Sequence, residues 1–292
     1  MSALPSAAAA SPSIPAAAVP SGATVSPVPR LVACDMDGTL LDLSGARVSD
    51  RNVAALRRAA DRGARVVIAT GRPVWWLDPV LETGFRGTAV CMNGAVVYDT
   101  GTRDIVSASP LTPEAMQDFL SGLERELAGA DRFSVAVERL GTTVDECFAE
   151  ADYDHPWSTG HFRLTDREDL LSAPAAKMLV RAGHDSDTLA AAARAVGDDQ
   201  VAITFSSSDG LIEIAAAGVN KGSTLARLAA EWGIDAAEVV AFGDMPNDLE
   251  MLRWAGRGVA MGNGHPDVVA AADEQAPHHG DDGVAAVLER WF

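Results

Sequence analysis

From residue 30 onward, short apolar runs alternate with amphipathic stretches. Residues 30–35 (Arg30-Leu31-Val32-Ala33-Cys34-Asp35) form an apolar run that ends in an acid, the pattern of a buried strand. Residues 50–62 then take helical spacing, with Val53, Leu56 and Ala60 on one face and Gly63 as a stop. Residues 64–70 read as a second buried strand, Pro73 opens a helical segment carrying Trp75, Trp76 and Leu77, and residues 88–92 read as a third strand. The alternation resumes near the C-terminus with a helix at 221–232, a strand at 239–242, a helix at 248–255 and a strand at 258–261. Strands and helices at this spacing predict right-handed βαβ units around a parallel sheet. In such sheets ligands sit beyond the carboxyl ends of the strands, so the acids and hydroxyls just after each strand become the candidates for chemistry.

The middle of the chain has another texture. Strand patterns at 95–98, 134–138, 177–181, 201–205 and 211–214 are interleaved with helical patterns at 113–127, 167–171 and 187–196. Turn signals at Asn93-Gly94 and Ser208-Asp209-Gly210 suggest antiparallel pairing. The predicted organisation is an α/β core made of residues 30–94 and 219–292, with an α+β unit, 95–218, inserted into it. Residues 1–29 differ again: Ala, Ser and Pro dominate, no side chain is charged, and prolines at 5, 12, 15, 20, 27 and 29 break any helix. They read as a disordered tail. A signal peptide would need a basic start and an unbroken apolar segment.

Composition narrows the partners. The 41 Asp and Glu outnumber the 23 Lys and Arg, and the whole net charge of −18 falls on residues 30–292. Nucleic acid and anionic membranes are therefore excluded as bulk electrostatic partners, since both demand clustered cations. No apolar run approaches the roughly 18–20 residues that span a bilayer. Cys34, Cys91 and Cys147 are isolated and odd in number, without zinc spacing, which points to a reducing, cytoplasmic setting. Oligomeric state is not encoded in any pattern of this kind.

Four strand ends carry the candidate chemistry. Asp35-Met36-Asp37-Gly38-Thr39 places a carboxylate at a strand end and a second one two residues later in a turn. A calcium loop is excluded, because the sixth and twelfth positions hold Leu40 and Ala46 instead of Gly and Glu. Thr70-Gly71-Arg72 offers a hydroxyl and backbone N–H groups able to hold a phosphate oxygen, or an ordinary turn. Lys221, before a helix, can neutralise an anion. Gly243-Asp244-Met245-Pro246-Asn247-Asp248 adds carboxylates to the same crevice, although Asn247 or Asp248 can equally cap the following helix.

The order and placement of these four motifs resemble the haloacid dehalogenase (HAD) superfamily of phosphatases, and most closely its Cof-type branch with a large inserted α+β cap. The resemblance covers residues 30–292, and includes Asn93-Gly94-Ala95 at the start of the cap and Met261-Gly262-Asn263 after the last motif. It implies a Rossmann-like parallel-sheet core and Mg²⁺-dependent hydrolysis of a small phosphorylated metabolite, such as a sugar phosphate. By that resemblance Asp35 is the nucleophile that forms an aspartyl-phosphate and Asp37 the general acid–base. Thr70, Gly71 and Lys221 hold the phosphate, with Asn93 and Arg72 as further contacts, Arg72 being equally suited to a structural salt bridge. Mg²⁺ falls to Asp35, the Asp37 backbone carbonyl and Asp244, supported by Asn247 and Asp248. Two other functions fit the same residues: a phosphotransferase or phosphomutase, and a non-catalytic module that binds a phosphorylated ligand. In the cap, Ser206–Gly210 and the loop 153–162 are candidate linings. His155, His161, His184, His278 and His279 lack ligand spacing, and Trp75 and Trp76 are expected to pack their helix.

Overall fold

The computed structural model describes residues 28–127, 132–154, 162–183 and 185–292. The expectations for most of the tail, and those for His155, His161 and His184, lie outside the described residues.

Two sheets organise the chain. The first contains β1 (Leu31–Cys34), β2 (Arg65–Ala69), β3 (Thr88–Cys91), β4 (Val96–Asp99) and β5 (Asp104–Ala108). The second contains β6 (Phe133–Glu138), β7 (Cys147–Ala149), β8 (Arg163–Leu164), β9 (Lys177–Ala182), β10 (Val201–Thr204) and β11 (Leu211–Ala216). The chain then returns to the first sheet with β12 (Val239–Gly243), β13 (Arg257–Ala260) and β14 (Glu274–Gln275).

In the first sheet the order is β14-β13-β12-β1-β2-β3-β4-β5. It is parallel from β14 to β3 and antiparallel from β3 to β5. All four residues of β1 are buried, as expected for a strand covered on both faces. Register fixes the site: Cys34 lies opposite Ile68 on one side and Phe242 on the other. The residues that follow β1, β2 and β12 therefore emerge side by side. The chain steps from β1 to β2 and β3 in one direction and comes back to β12 on the other side of β1, which opens a crevice at that reversal.

The turn Met92–Gly94, with Asn93 at φ 55, sends the chain back along β3. The strand expected at 95–98 consequently pairs within the first sheet instead of the second. Two further readings shift. The helical segment after Pro73 is a 3₁₀ turn, Val74–Trp76, and a four-residue helix, Asp78–Leu81, with Pro79 at its start. In the helix Asp50–Asp61 the buried face is Asn52, Ala55, Leu56 and Ala59, while Ala60 is exposed. Asn52 can face inward because Nδ2 donates to the Leu40 carbonyl and its amide oxygen accepts from Ala285 N–H, so no buried polar atom is stranded.

The second sheet has the order β10-β11-β9-β6-β7-β8 and is antiparallel except between β7 and β8. The helices Pro113–Glu126 and Ser186–Ala195 pack on one face through Phe119, Leu123, Leu189 and Ala193, against Val135, Val137, Met178, Val180, Ile212 and Ile214. Side chains alternate along a strand, so the intervening positions point the other way. Those are Ala136 and Glu138, Lys177 and Leu179, and Leu211 and Glu213, and this helix-free face meets the crevice of the first sheet.

Candidate active site

A cavity of about 660 Å³ lies between the two sheets. From the first sheet it is lined by Asp35, Asp37, Gly71, Arg72, Trp76 and Asn247; from the second, by Glu138, Lys177, Leu179, Leu211 and Glu213. Tyr153, Phe162, Ser206 and Ser207 complete that side, and the Tyr153 and Phe162 rings meet edge to face at 5.4 Å.

Asp35 continues the ladder beyond β1, its N–H donating to Phe242 O at 3.0 Å, and its side chain is buried. Lys221 is the first residue of the helix Lys221–Glu231, whose N-cap Asn220 accepts from Ser223 N–H. A cation there opposes the helix dipole. Two carboxylates offset that cost: Lys221 Nζ donates to Asp35 Oδ1 at 2.6 Å and to Asp248 Oδ1 at 2.7 Å, with no exposure of the ammonium side chain. Burial pulls Lys221 down, but Asp248 and Asp35 outweigh it and hold it above the ordinary lysine range. Asp35 is pushed well above the ordinary carboxylate range, by burial first; Lys221 opposes, and Asp248, Asp244 and Asp37 add to the rise.

Asp244 follows β12 and is pushed up to about 7 by burial and by Asp248, against the Thr39 hydroxyl and Lys221. Thr39 Oγ1 donates to Asp244 Oδ1 at 2.9 Å and Asn263 Nδ2 to Oδ2 at 3.3 Å. Asp248 Oδ2 accepts from the N–H groups of Asp244 and Met245, at 3.0 and 3.1 Å. Asp248 thus braces its own loop and orients Lys221; it stands at the N-cap position of the helix Leu249–Trp254, but its side chain makes no capping hydrogen bond there.

Asp35, Asp244 and Asp248 offer carboxylate oxygens within 4.8 Å of one another. The donors are hard oxygens, the kind Mg²⁺ takes. Asp248 accepts three hydrogen bonds, one of them from the Lys221 ammonium, against two on Asp244 and one on Asp35, so Asp35 and Asp244 keep the larger capacity for a cation. Burial raises both carboxyls first and their acidic neighbours add to the rise, a repulsion that a divalent ion would offset, so the set fits one.

Thr70 is buried, and its Oγ1 accepts from Arg72 N–H at 3.0 Å, which leaves the hydroxyl hydrogen to donate. Arg72 grips Asp37 at two points, Nε to Oδ2 at 2.8 Å and Nη2 to Oδ1 at 2.6 Å. The salt bridge that the sequence left open for Arg72 is therefore formed. Asn93 is buried and committed on both sides of its amide, to Glu213 and Asn247. Thr70, Asn93, Lys221, Asp244 and Asp248 adjoin the lining residues without being among them.

Three charged residues escape sequence reasoning. Lys177 Nζ donates to Gly71 O at 2.8 Å and to Glu213 Oε1 at 3.0 Å, and lies 3.3 Å from Glu138 Oε2. That last contact is an ion pair off the line of a good hydrogen bond, for Glu138 Oε2 has no hydrogen-bond partner. All three are buried. Burial raises Glu138 despite Lys177, with Glu213 raising it further. The signal was there: Glu138 and Glu213 are each the one charge in their strand, and Lys177 opens a strand whose next three residues are apolar. Trp76, expected to pack a helix, lines the cavity instead, while His278 and His279 stack at 4.6 Å beside the Leu41 carbonyl.

The strand-end aspartates, the buried lysine and the covering second sheet are accompanied by a match of residues 32–288 to the model of the haloacid dehalogenase-like hydrolases. The chain belongs to that family. Among its curated relatives are an HMP-PP phosphatase of Cronobacter sakazakii, 31% identical over 85% of this chain and 88% of that one. Another is the 5-amino-6-(5-phospho-D-ribitylamino)uracil phosphatase of Bacillus subtilis, 28% identical over 90% of this chain and 95% of that one. Among solved structures, a haloacid dehalogenase-like hydrolase of B. subtilis aligns with a TM-score of 0.73 at 26% identity, covering 90% of this chain and all of that one (100%). A subclass IIB sugar phosphatase shares the fold, with a TM-score of 0.73 at 20% identity over 90% of this chain and 98% of that one. The chain is an enzyme of the HAD phosphatase class. Among the described residues no helix is long and apolar enough to cross a membrane.

Proposed function

We propose that the enzyme is a Mg²⁺-dependent phosphomonoesterase that works on a small phosphorylated metabolite through an aspartyl-phosphate on Asp35. The observation that carries this reading is Asp35 itself: Lys221 pins one carboxylate oxygen at 2.6 Å, and the residue forms part of the cavity wall. Residues 30–94 and 219–292 form the catalytic core in this reading, and 95–218 the cap that selects the leaving group. A cavity of about 660 Å³ suits a metabolite better than a macromolecule. The two relatives named above are, by their names, phosphatases of HMP-PP and of 5-amino-6-(5-phospho-D-ribitylamino)uracil, which supports the same substrate class. The three buried free thiols accord with a cytoplasmic setting.

The free oxygen of Asp35 attacks phosphorus as the ester P–O bond breaks, and Asp37 gives its proton to the departing alcohol oxygen. Asp37 then takes a proton from water, whose oxygen attacks the aspartyl-phosphate; the bond to Asp35 breaks and inorganic phosphate leaves. The Thr70 hydroxyl and the Gly71 N–H receive phosphoryl oxygens, each such donor being worth about 2–4 kcal/mol in the transition state. Asp35, Asp244 and the Asp37 carbonyl would hold Mg²⁺, which supplies positive charge against the carboxylates and the phosphoryl group. Asp248 and Asn247 keep those ligands in place.

The test is inorganic phosphate release across a panel of phosphorylated metabolites, by wild type and Asp35→Asn, with acid-quenched mass spectrometry of the wild type. The expected result is a phosphorylated peptide containing Asp35 and a fall in turnover of roughly three orders of magnitude or more in the variant. Normal turnover by Asp35→Asn would sink the covalent route.

A further inference from the structure

Glu213, Asn93 and Asn247 form a chain of hydrogen bonds running from the second sheet to the cavity wall. Asn93 Nδ2 donates to Glu213 Oε2 at 2.8 Å, and Asn247 Nδ2 donates to Asn93 Oδ1 at 3.0 Å. All three residues are more than nine-tenths buried, at 4%, 2% and 4% exposure. The chain ends on Asn247 Oδ1, a buried acceptor that has no protein partner and belongs to a residue of the cavity wall.

The polarity of the chain follows from its first member. An ionised carboxylate only accepts, whereas an amide can present either end. Glu213 is held ionised: burial pushes it up, but the Lys177 ammonium, the Asn93 amide and Lys221 outweigh burial and keep it below the ordinary glutamate range. Asn93 must then turn its NH₂ toward Glu213 and its oxygen toward Asn247. Asn247 in turn must give its NH₂ to Asn93, and its own oxygen is left without a protein donor. A half-turn of either amide would set oxygen against oxygen in a buried place, which forfeits the bond and strands both acceptors.

Gly71 closes the assembly from the phosphate-binding loop. Its carbonyl accepts from Lys177 Nζ at 2.8 Å, and a Cβ on it would stand 3.1 Å from Asn93 Oδ1. The loop thus touches both the ion pair that charges the chain and the amide that transmits its direction.

We infer that Glu213 is a positioning residue for the reaction: by accepting from Asn93 it fixes the direction of the Asn247 amide, and so leaves a buried, unpartnered oxygen in the cavity wall for a hydrogen-bond donor such as water or a substrate hydroxyl. Glu213 stands on β11 in the second sheet, and Asn93 and Asn247 stand at strand ends of the first. The orientation therefore exists only while the two sheets are closed on each other, and closure sets the polarity of the cavity wall as well as excluding solvent. The kinetic consequence rests on the phosphatase reading; the direction of the amides does not.

The experiment compares wild type, Glu213→Gln, and the double variant Glu213→Gln with Asn93→Asp. The glutamine must keep its oxygen on Lys177 Nζ and so turn its NH₂ toward Asn93, which reverses both amides in the single variant. In the double variant it donates to the new aspartate, which accepts from Asn247 as Asn93 does now, and the net charge equals that of wild type. Asn93 has φ 55, a conformation that Asp also tolerates. The kcat of Glu213→Gln is expected to fall about tenfold with KM little changed, and the double variant to recover to within about threefold of wild type. A single variant with wild-type kcat, or a double variant no better than the single, overturns the inference. The side-chain ¹H–¹⁵N amide signals of Asn93 and Asn247, without substrate, give a second readout. The Asn247 signal is expected to move in the single variant and return in the double, and an unmoved signal in Glu213→Gln overturns the inference whatever the kinetics. Failure of wild type to release phosphate from p-nitrophenyl phosphate with Mg²⁺ would count against the phosphatase reading alone, leaving the amide spectra to decide this one.

Discussion

Arg72 and Asp37 meet in a two-point ion pair at the cavity wall, with Nε–Oδ2 and Nη2–Oδ1 distances of 2.8 and 2.6 Å. The Asp37 side chain is 53% exposed, so the pair contributes little to stability; its effect is geometric. The guanidinium also donates to Gly45 O at 3.0 Å and Trp76 O at 3.3 Å, which ties the carboxylate to both loops around it.

Arg72→Lys tests that fork. A lysine is a point donor and cannot hold both carboxylate oxygens in one plane. Losing one charge-assisted bond corresponds to a fall in kcat of about tenfold, with the melting temperature nearly unchanged. Steady-state kinetics beside a thermal melt decides it, and an unaltered kcat would mean that Asp37 is oriented by something else.

Gly38→Ala should cripple the acidic cluster. Gly38 has φ +70, and a Cβ on it would fall 2.2 Å from Asp244 Oδ2. The backbone strain is on the order of 1 kcal/mol, but the larger effect is that Asp244 must swing away from Asp35. The variant should stay folded and bind Mg²⁺ more weakly by at least about tenfold in calorimetric titration.

Glu138 and Glu213 flank one ammonium yet shift in opposite directions. Glu213 lies below its ordinary value, so its contribution to stability is present above pH 4.5, its unperturbed value, and is lost as pH falls through its lower folded value. Glu138 lies above its ordinary value: the folded state holds the proton longer, and stability declines as pH rises from 4.5 through that raised value. At pH 7, Glu213→Gln should therefore cost about 1–3 kcal/mol, while Glu138→Gln is neutral or stabilising. Urea unfolding between pH 3 and 8 checks the sign, with the Glu213→Gln deficit shrinking below about pH 4.5.

Chelation gives a separate check on the oxygen cluster. EDTA should abolish phosphate release and Mg²⁺ restore it. In the absence of substrate, Mg²⁺ at about 100 times its dissociation constant should stabilise the fold by about 2.7 kcal/mol. No thermal shift with Mg²⁺, together with full activity in EDTA, would rule out the metal assignment.

The strand-end chemistry was legible because it is local. An apolar run followed at once by Asp35 or Asp244 declares both a buried strand and a carboxylate at its mouth, and Asn220-Lys221 declares a helix start with a cation. Weak elements were not legible. β5 alternates exposed and half-buried residues at the sheet edge, and β14 has two residues, so neither carries an apolar signature. The buried face of the helix Asp50–Asp61 was misjudged by spacing, because a polar Asn52 is admitted by two distant hydrogen bonds.

By itself the sequence determined the α/β core, the inserted α+β segment and the four motifs, each encoded within a few consecutive residues where backbone geometry follows from neighbours. Only the tertiary structure decided that Arg72 grips Asp37, that the Asp248 side chain serves Lys221 and its own loop and makes no bond to the helix that follows, and that Glu138, Lys177 and Glu213 converge opposite Asp35. The physical reason is strand pairing: β6, β9 and β11 are far apart in sequence, and their register aligns three isolated charges on one face. Burial there makes each charge depend on partners that no local pattern announces.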